Sequence, residues 1–224
     1  MKITYLELPT KDIQAQKDYY ASVLGLPVSG SAGEAKIQAG ETELVFTQAD
    51  SSLGGAYHFA FNIPENQSHA AKEWITERMS LLHNREGNDE FASENWNSHS
   101  MYFKDAAGNV LEFIARHGLK NAVEGSFDSS QILNVSEIGL PSENVIGFAT
   151  GLCRQLNLSP FKQEPEETFT AIGDDYGLLI IPIKDRIWIP DSGVPSKLLP
   201  VKVKIDVDGK AWQIRGVPYE IAPL

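Results

Sequence analysis

Polar and apolar residues alternate along Ile3-Thr4-Tyr5-Leu6-Glu7-Leu8-Pro9, with Leu6 and Leu8 on one face and Tyr5 and Glu7 on the other. That period of two predicts a half-buried strand, one face on a core and the other toward a cleft. At Asp12 the period changes. Ile13, Tyr19, Tyr20, Val23 and Leu24 form the apolar stripe of a helix that Asp12 can cap and Gly25 can stop. Short strands are expected around 35–37 and 43–47, parted by a turn at Gly40, with a further one around Val28. The pattern restarts at Tyr57. A strand over 58–63 is broken by Pro64, and a helix over 66–82 carries Ala70, Ala71, Trp74, Ile75 and Met79 at helical spacing. A polar loop through Gly87-Asn88-Asp89 leads to a hairpin, strands 98–104 and 110–115 joined by Asp105-Ala106-Ala107-Gly108-Asn109.

Residues 118–130 turn polar and irregular and read as a linker. The pattern then begins a third time. Val135-Ser136-Glu137-Ile138-Gly139-Leu140-Pro141 echoes residues 3–9, and aligning the two Leu-Pro pairs without a gap places Glu137 on the position of Tyr5. An acidic-capped helix should follow, ending near a Gly or Asn. Strands are then expected at 168–172 and 178–183, the latter a continuous apolar run suited to a central strand. A final pair at 201–207 and 211–221 is joined by Asp208-Gly209, and no fourth helix is legible. The repeat predicts an α+β protein of tandem βαβββ modules. Modules one (1–52) and two (55–117) form a pair over 1–117, residues 118–130 link, and 131–224 hold a third, incomplete module.

Composition narrows the function. The 224 residues are 42% hydrophobic and 22% charged, ordinary for a globular protein of one large or two small domains. No apolar run approaches the roughly 20 residues of a membrane span, and no signal-peptide core follows Met1, so a cytoplasmic location is expected. A net charge of −11 disfavours nucleic acid and anionic membrane as partners. Cys153 is the only cysteine, which excludes an internal disulfide and a thiolate zinc cluster, and its apolar helical neighbours suit a buried small hydrophobe.

Strand parity brings two metal-ligand types together. His58, Ala60 and Asn62 share one face, while Phe59, Phe61 and Ile63 should pack on the helix carrying Trp74 and Ile75. Leu111 and Phe113 are the matching core pair, so Glu112 faces the side of His58. An imidazole and a carboxylate suit Zn, Mn, Fe(II) or Ni. The two-His, one-carboxylate set of non-haem iron enzymes lacks its second His, because His69 and His83 belong to the helix, His117 to the linker, and His99 has the wrong parity. Arg186 and Trp188, at i and i+2, either clamp a ligand or, for the Trp, close the core.

An Asp-started helix ending in Tyr19-Tyr20 and Val23-Leu24-Gly25-Leu26, and the later run Tyr102 to Glu112, resemble the vicinal oxygen chelate superfamily. That superfamily includes glyoxalase I, fosfomycin-resistance proteins, extradiol dioxygenases and bleomycin-binding proteins. The resemblance is good over 1–117 and weaker over 131–190. It implies that the paired modules curl into a cup holding a divalent metal, with His58 and Glu112 as ligands. It implies Glu43 as a third ligand and catalytic carboxylate, the alternative being a solvent-facing edge-strand residue. Ser100 and Tyr102 match positions that line the substrate cup in the fosfomycin-resistance branch. Tyr5 stands where metal-dependent members usually carry His, and is expected to donate a hydrogen bond to substrate. Glu137 is expected to be a polar, cleft-facing residue of a truncated repeat. Two small-molecule functions stay open, a metal-dependent lyase, isomerase or transferase acting on a small oxygenated molecule or a metal-free protein that sequesters one, beside a third reading, an interaction module whose incomplete third repeat docks a partner or a second copy. In either of the first two a small molecule is the partner, and the incomplete third module leaves room for a homodimer.

Overall fold

The computed structural model describes residues 1–50 and 52–224. Its strands are β1 (Lys2–Thr10), β2 (Val28–Ser29), β3 (Glu34–Ala39), β4 (Thr42–Gln48), β5 (His58–Ile63), β6 (Phe91–Ser93), β7 (Ser98–Lys104), β8 (Val110–Arg116), β9 (Asn134–Gly139), β10 (Phe169–Asp174), β11 (Gly177–Pro182), β12 (Val201–Val207), β13 (Lys210–Gly216) and β14 (Glu220–Pro223). The α-helices are α1 (Ile13–Ser22), α2 (Ser68–Thr76) and α3 (Val145–Leu156). The mixed α+β architecture of tandem modules is as the repeat predicts.

Local chemistry explains the helix ends. The Asp12 carboxylate accepts from the Ala15 amide at 2.8 Å and Gly25 takes φ +63°, so α1 starts and stops as its sequence directs. Helix α3 is capped by the amide oxygen of Asn144 rather than by an acid, and ends at Asn157 in the left-handed conformation. Helix α2 is shorter than its apolar spacing suggests. Beyond Thr76 the chain leaves the helix, and the Leu82 amide instead hydrogen-bonds the Tyr102 carbonyl beside β7.

The strands form two seven-stranded sheets, ordered β14-β13-β12-β1-β4-β3-β2 and β10-β11-β9-β5-β8-β7-β6. This differs from the expected pairing of module one with module two over 1–117. Module two shares its sheet with β9 to β11, and β12 to β14 complete the sheet of module one. Equal element order gives both modules the same free strand edge, so periodicity alone leaves the pairing undetermined. The segment before β9 decides it. Leu133 donates its amide to the Asn62 carbonyl and accepts from the Glu41 amide, which lays the following strand against β5. Gly40, at φ +55°, makes this crossing possible, since a Cβ there would lie 1.8 Å from the Leu133 oxygen.

The inner faces of both sheets and the three helices meet in one continuous core. Phe59, Phe61, Phe103 and Phe113 stack edge-on within it, and Trp74 and Phe127 close over them. Buried Asp105 ties the first helix to the β7–β8 turn. It accepts from the amides of Ala107 and Asn109, the Asn109 and Gln16 side chains and the Tyr20 hydroxyl, at 2.8 to 3.2 Å.

Candidate metal centre

The outer face of the second sheet curls around a cavity of about 480 Å³. Three potential ligands meet in it: His58 on β5, Glu112 on β8 and Glu137 on β9, with one donor atom of each within 4.8 Å of the others. The register explains the convergence. Ala60 of β5 sits directly between Glu112 on one neighbouring strand and Glu137 on the other. Its methyl group leaves the two carboxylates room to lean together toward His58, two residues away on the same face.

Glu137 reaches this face through a β-bulge. Phe59 opposes Ile138 and Phe61 opposes Val135, so Ser136 and Glu137 together face Ala60. The extra residue lets Val135 and Ile138 both point into the core while Glu137 turns to the cavity. The first strand repeats the device. Ile3 opposes Ile205 and Leu6 opposes Val203, and Tyr5 takes the place that Glu137 occupies in β9.

His58 and Glu137 are each held by a partner. The Nδ1 of His58 lies 3.0 Å from the Val110 carbonyl, and donation there leaves the Nε2 lone pair facing the carboxylates. That Nε2 lies 3.7 Å from Glu112 and 3.9 Å from Glu137. One oxygen of Glu137 pairs with Arg116, which is 0% exposed, and the other faces His58. The Arg116 guanidinium packs beside the rings of Trp96 and Phe161, at 5.6 and 5.5 Å, and its Nε and Nη1 have no partner among the described residues.

Burial, then the neighbouring charge of Glu137, push the Glu112 carboxyl up to about 7, against the pull of His58, Ser100 and Arg116. For His58, burial opposes the imidazolium, but contact with Glu137 and the charges of Glu112 and Glu137 outweigh it and the net shift is upward. The phenol of Tyr102 is pushed well above its ordinary range by burial and by the same two carboxylates, so it remains a hydrogen-bond donor.

These residues fit a divalent ion. Metal–ligand bonds of about 2.0–2.2 Å put donor atoms about 3 to 3.5 Å apart, so the 3.7 and 3.9 Å between His58 and the two carboxylates need only a small closure. Donation of Nδ1 to the Val110 carbonyl keeps Nε2 as the atom that would meet an ion, and two carboxylates supply matching charge. A buried pair of acids facing one His is otherwise a costly arrangement.

The expected site residues divide between the two sheets. His58, Glu112, Ser100 and Tyr102 all line the cavity. Tyr5 and Glu43 do not join them: they pair with each other across β1 and β4 in the first sheet. There the Tyr5 hydroxyl donates to Glu7, Lys202 pairs with Glu7 at 3.2 Å, and the Lys204 ammonium lies 4.6 Å from the Tyr5 ring. Tyr5 is thus engaged by charged neighbours, Glu43 lines a separate small hollow with Lys36 and Gln38, and the third carboxylate near His58 is Glu137, not Glu43. Trp188 and Arg186 both line the cavity. The indole lies tilted against His58 at 4.8 Å, and Arg186 lies 4.9 Å from the Phe169 ring. Arg116 carries no sequence signal of its own beyond continuing the parity of Glu112 and Ile114 along β8.

Tandem βαβββ modules curled about a cup define the fold of the vicinal oxygen chelate superfamily, and this chain has that fold. Among solved structures, a "putative dioxygenase" from Bacillus subtilis aligns over 96% of this chain and 81% of its own, with TM-score 0.60 and 15% identity. A lactoylglutathione lyase from Agrobacterium tumefaciens aligns over 50% of this chain and 91% of its own (TM-score 0.41, 21% identity). The fosfomycin resistance protein FosX from Listeria monocytogenes aligns over 52% and 90% (TM-score 0.40, 18% identity). At 15% identity, the likeness to the Bacillus subtilis protein is one of fold. No protein-family profile and no curated protein matches the sequence. Among the described residues, no helix is long and apolar enough to cross a membrane.

Proposed function

We propose that the protein is a metal-dependent enzyme acting on a small oxygenated molecule, with His58, Glu112 and Glu137 as the ligands of one divalent ion. The observation that carries this reading is the meeting of these three side chains, each nine-tenths or more buried, at the wall of a ligand-sized cavity. One imidazole and two carboxylates suit Zn, Mn, Fe(II) or Ni, and three protein ligands leave positions for substrate oxygens. The ion would supply Lewis-acid polarisation of a substrate oxygen.

The protein's own groups do the rest. Val110 fixes the His58 tautomer and Arg116 fixes the Glu137 carboxylate. Tyr102 and Ser100 offer hydroxyl donors beside Glu112. Glu112, at the cavity wall beside these hydroxyls, is the carboxylate placed to exchange a proton with substrate, the role expected of Glu43 from the resemblance. Trp188 covers His58 and limits water at the ligands. A lyase, isomerase or transferase is consistent with this set. The metal-free sequestration alternative depends on Tyr5 replacing a ligand, and Tyr5 lies outside the cavity.

Equilibrium dialysis of chelator-stripped protein against zinc(II), manganese(II), iron(II) and nickel(II), read by elemental analysis, tests the proposal. Near one equivalent is expected for at least one ion, with loss of binding in Glu137→Gln and His58→Ala and none in Glu43→Gln. Retention in the first two, or loss only in the third, overturns it.

A further inference from the structure

Two histidines that take no part in the cavity meet on the far side of the sheet that lines it. Strand parity sends them there. Ser98, Ser100 and Tyr102 of β7 face the cavity, so His99 faces the other way, and His117 continues the parity of Ala115 just past the end of β8. His99 pairs with Ala115 in the register, and the His117 amide donates to the Asn97 carbonyl at 2.9 Å, which makes the two histidines diagonal neighbours on adjacent strands. Small residues leave room for them: His99 stands between Ala92 of β6 and Ala115 of β8. The Nδ1 of His99 lies 2.7 Å from the Nε2 of His117, with the ring planes at 72°.

Both residues are partly exposed, and the histidines that face a carboxylate are others, His58, His69 and His83. In a neutral pair one ring donates its N–H to the bare nitrogen of the other. A metal ion can take the place of that proton, which then moves to the outer nitrogen of the ring that carried it. Zinc–nitrogen bonds of about 2.0–2.1 Å in a tetrahedral site put two donors roughly 3.3 Å apart, so the rings need to part by only about half an ångström, and partly exposed side chains can turn that far. Among the described residues no third His, Cys, Asp or Glu completes a three-ligand group here, so water would fill the remaining positions. Two imidazoles and water suit copper(II) first, then nickel(II) and zinc(II), whereas manganese(II) prefers carboxylate oxygens. We propose that His99 and His117 form a second metal site, for a late transition-metal ion, that clasps the start of β7 to the chain leaving β8. The site does not depend on what His58, Glu112 and Glu137 hold.

Untagged, chelator-stripped His58→Ala protein lacks the first site and keeps the second. In equilibrium dialysis at micromolar metal, read by elemental analysis, it should hold near one equivalent of copper(II) and no manganese(II). His99→Ala or His117→Ala in that background should weaken copper(II) binding at least tenfold, while His69→Ala and His83→Ala, which remove exposed histidines elsewhere, should leave it unchanged. Electron paramagnetic resonance of the copper(II) form should show two coupled imidazole nitrogens, a readout that decides even if an alanine variant does not fold. No copper(II) bound by His58→Ala, copper(II) retained without His99 or His117, or a spectrum lacking the two nitrogens overturns the inference and leaves the pair a hydrogen bond only. Manganese(II) binding by the parent protein reads the His58 site alone, so the failure of either site is seen separately from the other.

Discussion

The ion pair between Arg116 and Glu137 gives a sharp test of what the buried cluster is for. Glu137→Leu removes the carboxylate from a guanidinium that is fully buried and already has two nitrogens without partners. Breaking one half of such a pair typically costs about 3–5 kcal/mol. Relief of the repulsion that Glu137 exerts on Glu112 offsets part of this, which favours the lower end. For a chain of this length, about 2–4 °C of melting temperature per kcal/mol converts the cost to a fall of about 6–20 °C. Replacing both partners, as Arg116→Met with Glu137→Leu, removes the two charges together and should return stability to within about 1 kcal/mol of the parent. Urea unfolding of the parent, both single variants and the double variant, followed by circular dichroism in chelator at neutral pH, measures the coupling. Additive losses, or a Glu137→Leu variant as stable as the parent, would refute the argument. A stable double variant that binds no metal would show that the pair is kept for the site rather than for the fold.

Three further outcomes are expected. Glu112 and His58 both have raised affinities for a proton in the fold. Glu112's contribution to the stability of the metal-free protein is therefore full below its ordinary value of 4.5 and lost as pH rises through about 7, with His58 acting in the same direction. Melting temperature in chelator should fall between pH 5 and 8, less so in Glu112→Gln, and a parent no steeper than that variant contradicts the shift. Asp105→Ala strands the Gln16, Asn109 and Tyr20 donors at about 1–3 kcal/mol each, partly relieved by water. A net loss of about 3–5 kcal/mol in urea unfolding is expected, and a loss under 1 kcal/mol would rule out the anchoring role. Gly139→Ala places a Cβ 2.5 Å from the Trp188 ring, so the indole must move off His58. A cost of about 1–3 kcal/mol should accompany a red-shifted tryptophan emission, and an unchanged spectrum would show that the ring does not respond.

Much of this was legible in the sequence because parity is a local property. The alternation of 58–63 and 110–115 places His58 and Glu112 on one face whatever the strands pair with, and both stand together in the cavity. Tyr102 and Ser100 follow from the same rule. Pairing between modules is not local, and Glu43 is expected at the site only if modules one and two share a cup. What separates them is a backbone crossing at Leu133 and Gly40 that has no periodic signature. The Leu-Pro alignment does put Glu137 in register with Tyr5, but its partner strands are not legible from the repeat, so the third carboxylate looks like a leftover of it. Arg116 lies one residue past the expected end of its strand. Extending the parity of Glu112 by two more steps reaches it.

The sheet order also bears on how the chain folds. Every strand of the sheet that carries His58, Glu112 and Glu137 lies between residues 58 and 182, and the other sheet joins Lys2 to the vicinity of Asp206. One cup is therefore nested inside the other along the chain. Short closures cost less entropy than long ones and form sooner, so the inner half can assemble while the outer half still awaits its last strands. On a ribosome, which releases the C-terminus last, β1 would wait for β12 while the ligand-bearing sheet already has all its strands. The chain's chemistry is then expected to mature before its two ends are sewn together.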